Sequence, residues 1–430
     1  MFMLLKLINL FLNKFYTIFN IQINNFKEDV MQIQSWGGIA FEDLTEPQKS
    51  FLKSVLENHD RSQILTGCAG SGKTIIAAHA ISILQENTEK KVGFVVFTKL
   101  LRKFVEDGFQ NSSLADNIYH YHDSHFSSHY YDLLIVDEAQ DFEKSWIENV
   151  KANSKNQIWM GDSSQQIYED ALNEDGFSTL AQKTISKTHL DTNYRNSLFT
   201  AKFASYFMTL NSDDIKKGLT LNKKVDDFIK PILNNPLQSS STNNQPAILI
   251  EAETPNEEYN FLASEIEKLS SQKTDSKKIA VAHFTNSVLD QIGFELGKRN
   301  ISFIRVPKEK HLKDLPDFSE NNLVVLSPMH SLKGLEFDYV FFPRSDFEPW
   351  KNQAIRDNLL FVLFTRAKKR VYSSWSNRNA SVVWEKISGI KESDFFELKK
   401  SNAIGEQGII DKPKEDIEKI IKKHFEDFNI

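Results

Sequence analysis

Eight consecutive residues, Gly67, Cys68, Ala69, Gly70, Ser71, Gly72, Lys73 and Thr74, fit the pattern G-x-x-x-x-G-K-[ST]. Glycines at these positions let backbone N–H groups close around a phosphate, and a helix that opens behind them adds its dipole. Lys73 then supplies a cation to bridge β- and γ-phosphates, and the Thr74 hydroxyl supplies an oxygen ligand for Mg2+. Further along, Leu133 to Asp141 reads LLIVDEAQD, an apolar run that delivers two carboxylates at its end. Asp137 suits a Mg2+ ligand held through water, and Glu138 suits a base that polarises an attacking water. An acidic pair of this kind gains its weight from the phosphate loop that precedes it.

Such residues need strands to end beneath them. Ser62 to Leu65 reads as a short strand, followed by the glycine-rich turn and a helix over Lys73 to Gln85. Lys91 to Thr98, Asp132 to Val136 and Gln157 to Met160 read as buried strands, each stopping where a polar cluster begins. Ligands of open α/β sheets bind beyond such carboxyl ends. A second set of elements starts near Ala247, with a helix over Asn256 to Ser270. Its strands are expected at Lys278 to Ala282, Ile301 to Val306, Asn322 to Ser327 and Asp338 to Phe342. Alternation of this kind marks layered α/β domains. Gln238 to Gln245 is a polar linker.

The chain has 430 residues, which suits two domains of roughly 150–200 residues each. With 33 phenylalanines and a hydrophobic share of 40% it has material for a large core. A net charge of −6 argues against coating nucleic acid through a basic surface, but not against gripping a strand in a narrow groove. The lone cysteine, Cys68, excludes an intramolecular disulfide and fits a reducing, cytoplasmic setting. Met1 to Ile23 is mostly Leu, Ile, Phe and Met, with polar residues at helical spacing. It is broken too often for a spanning helix. Two readings stay open: translation starting at Met31, or an amphipathic helix for a membrane surface or partner. In the tail, Ile417, Ile420, Ile421, Phe425 and Phe428 share one helical face.

The sequence DEAQD with IWMGDSSQQIY downstream resembles the UvrD/Rep-like branch of superfamily 1 helicases. The resemblance continues through LDTNYRNS (Leu190 to Ser197), SPMHSLKGLEF (Ser327 to Phe337) and LLFVLFTRAKKRVY (Leu359 to Tyr372). A leading LTEPQKSF (Leu44 to Phe51) is similar to the family's adenine-reading segment. The resemblance implies two tandem RecA-like domains with parallel sheets flanked by helices, binding ATP and Mg2+ between them. It divides the chain into an apolar extension (1–30), a first ATP-binding domain (31–189), a second domain (190–400) with a helical elaboration near 200–245, and a C-terminal amphipathic helix (401–430).

By the same resemblance, Gln48 reads the adenine edge, Tyr194 stacks on the base and Glu336 contacts the ribose. Gln165 couples the γ-phosphate to the nucleic-acid groove. Arg195 and Arg366 reach the γ-phosphate from the second domain. Phe97, Thr98, Lys99, Arg102, Tyr168 and His330 are the expected nucleic-acid contacts. Asp170 and Pro328 depart from the family pattern. Family members insert large subdomains before DEAQD and before KGLEF, and this chain has room only for short connections. Thr200 to Gln245 is the main candidate for an accessory piece.

The implied activity is ATP-dependent 3′-to-5′ translocation on single-stranded DNA, with RNA left open. A second reading is a regulatory ATPase subunit that controls a partner nuclease, as in bacterial anti-phage systems. His120, His122, His125 and His129 lie close together among tyrosines. Zinc is one reading of them, and a solvated or strand-contacting loop the other.

Overall fold

The computed structural model describes residues 41–108, 113–123, 126, 128–167, 180, 186–210, 214–215, 218–233, 244–271, 277–306, 322–347, 352–390 and 394–401. The apolar extension, the C-terminal helix, Tyr168, Asp170 and His125 lie outside the described residues.

The first sheet comprises β1 (Gln63–Gly67), β2 (Val92–Val96), β3 (Ile118–His120), β4 (Tyr131–Val136), β5 (Ser154–Gly161) and β6 (Ser186–Leu190). Their order is β3-β2-β4-β5-β1-β6, and every pairing is parallel. β2, VGFVV, is buried along its whole length, as expected of a parallel strand covered on both faces. The helices α1 (Glu46–Glu57), α2 (Lys73–Asn87), α3 (Lys99–Gly108) and α4 (Lys144–Ala152) provide the cover. α1 starts cleanly: Thr45 and Gln48 form a reciprocal capping box, with a proline in the first turn.

The second sheet comprises β7 (Ala247–Glu251), β8 (Lys278–His283), β9 (Ile304–Arg305), β10 (Leu323–Pro328), β11 (Phe337–Phe342), β12 (Ala367–Trp375) and β13 (Phe396–Lys400). Their order is β13-β7-β12-β11-β8-β10-β9, again parallel throughout. Its helices are α5 (Leu198–Ser205), α6 (Leu221–Leu233), α7 (Pro255–Ser271), α8 (Asn286–Lys298), α9 (Gln353–Phe364) and α10 (Val382–Ile387). α7 and α8 bury Leu262, Ile266, Leu289 and Ile292 against Ile250, Val281 and Phe341 of the sheet. The protein is therefore α/β, with two RecA-like sheets in tandem.

Two expectations change. The strand over Ile301 to Val306 shortens to Ile304–Arg305. The helices within Thr200 to Gln245 are not an appended piece. Phe203 and Phe207 of the α5 region pack on Phe364 with ring centroids 5.1 and 4.9 Å apart, and Phe228 of α6 packs on Phe361 at 5.2 Å. Both helices thus belong to the second sheet's own core.

The two halves also touch directly. Gly334, at φ +84°, faces α3 so closely that a Cβ there would lie 2.5 Å from Leu101 Cδ2. Only glycine suits both that backbone conformation and that approach.

Candidate nucleotide site between the two sheets

β1 ends at Gly67 and the chain turns through the phosphate loop into α2, with Gly70 and Gly72 both at positive φ. Lys73 is 8% exposed and folds back over the loop, donating to Gly67 O at 2.7 Å and Cys68 O at 3.1 Å. One strand beyond the neighbour of β1, β4 ends at the acidic pair. Thr74 Oγ1 donates to Asp137 Oδ2 at 2.6 Å, so the two expected metal ligands already converge. Hydroxyl and carboxylate oxygens are the donors that Mg2+ takes. Glu138 is held in the left-handed region at φ 53°, which turns its carboxylate away from the strand line.

Burial and Glu138 together raise the Asp137 carboxyl above the usual range. Burial would raise Glu138 too, but Lys333, Arg366 and Lys73 outweigh it and hold that carboxyl down. Glu138 also accepts from Gln140 Nε2 at 2.6 Å. A base oriented by a neighbouring amide and kept ionised is what activation of a water requires.

The second sheet supplies the opposite wall. Arg366, just ahead of β12, is 2% exposed and hydrogen-bonds Gln165 Oε1. Gln165 in turn donates to Asp162 Oδ2 at 2.6 Å. Arg195 Nε bonds Glu336 Oε2 at 3.1 Å, and Lys368 pairs with the other Glu336 oxygen. Burial opposes ionisation of Glu336, yet Lys368 and Arg195 pull its carboxyl down to about 2. Burial, and then Arg195, lower the Arg366 guanidinium to about 9. Crowding two guanidiniums into a buried site makes sense where a polyanion is to sit.

These groups surround a cavity of about 380 Å³, a size usual for a nucleotide-scale ligand. Leu44, Ile75, Phe104 and Tyr194 line its apolar part; Lys73, Glu138, Arg195 and Arg366 line its charged part. Ser71 Oγ is buried in the loop without a hydrogen-bond partner, an orphan that a phosphate oxygen would satisfy. Residues and cavity therefore fit a nucleoside triphosphate with a divalent cation.

Gln48 lies under the loop. Its Oε1 accepts from Thr45 N at 2.8 Å and its Nε2 donates to Ser71 O at 2.9 Å, leaving one donor and one lone pair for a base. Ala69 is buried at 2%. Burial pushes the Cys68 thiol up to about 12, which keeps it protonated and unreactive.

One residue of this site escapes sequence reasoning. Lys333, between β10 and β11, has no exposed side-chain surface and pairs with Asp141. It also donates to Gln165 O at 2.7 Å and lies 3.8 Å from Glu138 Oε2. Its only sequence signal is a cation set in a motif whose neighbours are apolar.

The segment 193–197 ties the two halves. Tyr194 N donates to Gly70 O at 3.0 Å, while Asn196 Nδ2 donates to Thr365 O at 2.9 Å and Ala367 O at 2.7 Å. Asn193 Oδ1 accepts from Arg195 N and Asn196 N, which fixes the turn between them.

A family model of the AAA domain matches residues 43–229, and two models of the UvrD-like helicase C-terminal domain match residues 188–314 and 323–372. The chain belongs to the UvrD/Rep-like superfamily 1 helicases. A search of curated proteins gives no match. The AAA match covers the phosphate loop and the acidic pair, and the UvrD-like matches cover Arg195, Glu336 and Arg366.

The residues expected along nucleic acid are less uniform in this UvrD-like chain. Lys99 and His330 are exposed. Thr98 Oγ1 accepts from Leu101 N at 3.0 Å and starts α3. Phe97 is 8% exposed, its ring stacked on Tyr121 at 5.0 Å. Arg102 is paired with Glu106 and Asp123. Pro328 closes β10 opposite His283. Among the described residues no group of three His, Cys, Asp or Glu could hold a metal, and His120 is buried while His122 and His129 are exposed. No described helix is long and apolar enough to cross a membrane.

Proposed function

We propose that this chain hydrolyses ATP and uses the cycle to move along single-stranded DNA, in the 3′-to-5′ direction implied by its family. The observation that carries the reading is Arg366. It comes from the second sheet, yet it is buried against Gln165 of the first, beside Arg195 and the phosphate loop. A site completed by both halves binds its anion tightly only when they are together, so loss of the γ-phosphate weakens the closed arrangement.

In this reading Lys73 and the loop N–H groups hold the β- and γ-phosphates, and Thr74 and Asp137 hold the cation. Mg2+ there would neutralise phosphate charge and polarise the transferred group. Glu138 orients the water and takes its proton. Arg195 and Arg366 stabilise charge on the leaving oxygens, with Gln165 linking Arg366 to the loop after β5.

A second reading, a regulatory ATPase subunit controlling a partner nuclease in repair or anti-phage defence, draws on the connections. Only residues 121–130 join β3 to β4, and only 306–322 join β9 to β10. That leaves little to hold a duplex ahead of a fork, and a partner would supply the grip.

Steady-state ATP hydrolysis by the purified chain, with and without oligo-deoxythymidine, tests the reading, with Lys73→Ala as control. DNA-stimulated turnover that weakens with salt is expected. Turnover indifferent to any nucleic acid would favour the regulatory subunit. Undiminished turnover by folded Lys73→Ala would sink both.

A further inference from the structure

At the carboxyl end of the second sheet, β8 stops at His283 and its neighbour β11 stops at Phe342. The turn that follows β11 places Arg344 at φ 49°, a conformation uncommon outside glycine and kept only where surroundings over-determine it. Here they do. Arg344 N donates to the buried Glu258 Oε1 at 2.6 Å and Arg344 Nε donates to Asp346 Oδ1 at 2.9 Å. The other Asp346 oxygen accepts from Ser376 N at 3.2 Å, Ser376 Oγ at 3.1 Å and Asn377 N at 2.8 Å.

This framework presents Phe347. Its ring is 48% exposed, although the residues before it are largely buried. Beside it, offset, lies His283, fully buried and nearly parallel at 6° with ring centroids 6.4 Å apart. His283 in turn stacks on Phe342 at 5.7 Å. Burial lowers the His283 pKa to about 4, so the ring beside Phe347 is neutral. The Arg344 guanidinium stands 5.6 Å from the Phe347 centroid. Its second terminal nitrogen has no partner among the described residues, and the side chain keeps 17% exposure.

We propose that Phe347, set beside His283 and flanked by Arg344, is a stacking platform for an unpaired nucleobase, with Arg344 contacting the adjoining phosphate. The proposal rests on the single-strand reading above and adds a contact to it. A lone exposed phenylalanine would mean little. This one has a cation at its side, and its turn is anchored to Ser376 and Asn377 through Asp346. An aromatic ring with a guanidinium beside it suits a base and its backbone. Glu258 and Asp346 both stand within ion-pair distance of Arg344, so a phosphate would meet the guanidinium's remaining N–H groups rather than an uncompensated cation. Pro328 of β10 pairs with His283, and exposed His330 follows two residues later in the turn after β10. The platform and His330 thus both stand at the carboxyl end of the second sheet.

Fluorescence anisotropy of labelled oligo-deoxythymidine and of an abasic strand of equal length tests this, on the full chain, its F347A form and its F347W form. F347A is expected to weaken oligo-deoxythymidine binding by at least about fivefold, the loss of one base–aromatic stack. F347W should restore it, and all three should bind the abasic strand alike. ATP hydrolysis without nucleic acid should be the same in all three, since Phe347 lies outside the nucleotide site. Undiminished oligo-deoxythymidine binding by F347A, or equal losses on both strands, overturns the platform. If the unaltered chain hydrolyses ATP but binds neither strand, the single-strand reading has failed and the platform falls with it.

Discussion

Replacing Lys333 with methionine keeps most of the side-chain stem and removes one buried charge. Its partner Asp141 is itself fully buried, and burial raises that carboxyl to about 6 even with Lys333 opposing. A carboxyl pKa raised in the folded state costs stability at any pH above the unfolded value, and the cost stops growing once pH passes the folded value. In the unaltered chain it therefore levels off near pH 6. Without the cation the folded value climbs further, and the cost keeps rising by about 1.4 kcal/mol per pH unit. The stability gap between Lys333→Met and the unaltered chain should thus widen by roughly 3 kcal/mol from about pH 6 to about pH 8. That places it within the ~3–5 kcal/mol usual for breaking a buried ion pair. Urea denaturation followed by tryptophan fluorescence reads this well, because Trp159 on β5 and Trp375 on β12 are both buried, one in each sheet. Adding Asp141→Asn should recover part of the loss and flatten its pH dependence. A gap that is absent, or constant across this range, would refute the reasoning.

Glu138→Gln should keep nucleotide and Mg2+ binding, since Thr74 and Asp137 remain, while slowing hydrolysis about 100-fold or more. A parallel loss of affinity in fluorescent-nucleotide titrations would mean that Glu138 is a ligand rather than a base. Arg366→Ala should lower single-turnover hydrolysis about 1,000-fold with a smaller effect on nucleotide binding. Equal effects on both would show that the arginine serves ground-state binding. Removing residues 1–30 should leave ATP hydrolysis unchanged, because the cavity's lining begins at Asp43. A vesicle-pelleting comparison of both forms tests the membrane-surface reading of that segment.

The phosphate loop was legible because it is local: strand, turn and helix follow one another without a break. β4 and the acidic pair were legible for the same reason. What sequence could not show was set by distance or by polarity. Lys333 meets Asp141 and Gln165 only after the second sheet folds onto the first, and nothing beside it in the chain announces the pairing. β6, SKTHL, and β13, FELKK, are edge strands with little burial, so they lack the apolar run by which a buried strand is recognised. β12 was hidden inside LLFVLFTRAKKRVY, where the apolar run belongs to α9 and the strand starts only at Ala367. The apolar residues of Thr200 to Gln245 were visible, but not the face of the second sheet that they cover.

Among the described residues the chain crosses from the first sheet to the second once, through the turn at 193–197. That turn is hydrogen-bonded to the phosphate loop on one side and to the entry of β12 on the other. It is a fulcrum anchored at both ends, set beside the nucleotide. Rotation about a fixed axis moves distant points further than near ones. In the translocation reading, a change in cleft closure too small to detach Asn196 from Thr365 would still shift Lys99 and His330, which belong to opposite halves. In that reading the gearing from phosphate chemistry to strand displacement is set by where the turn is fastened. Loosening the Asn196 anchor, whose bonds to Thr365 and Ala367 flank Arg366, should therefore disturb closure and ATP hydrolysis together.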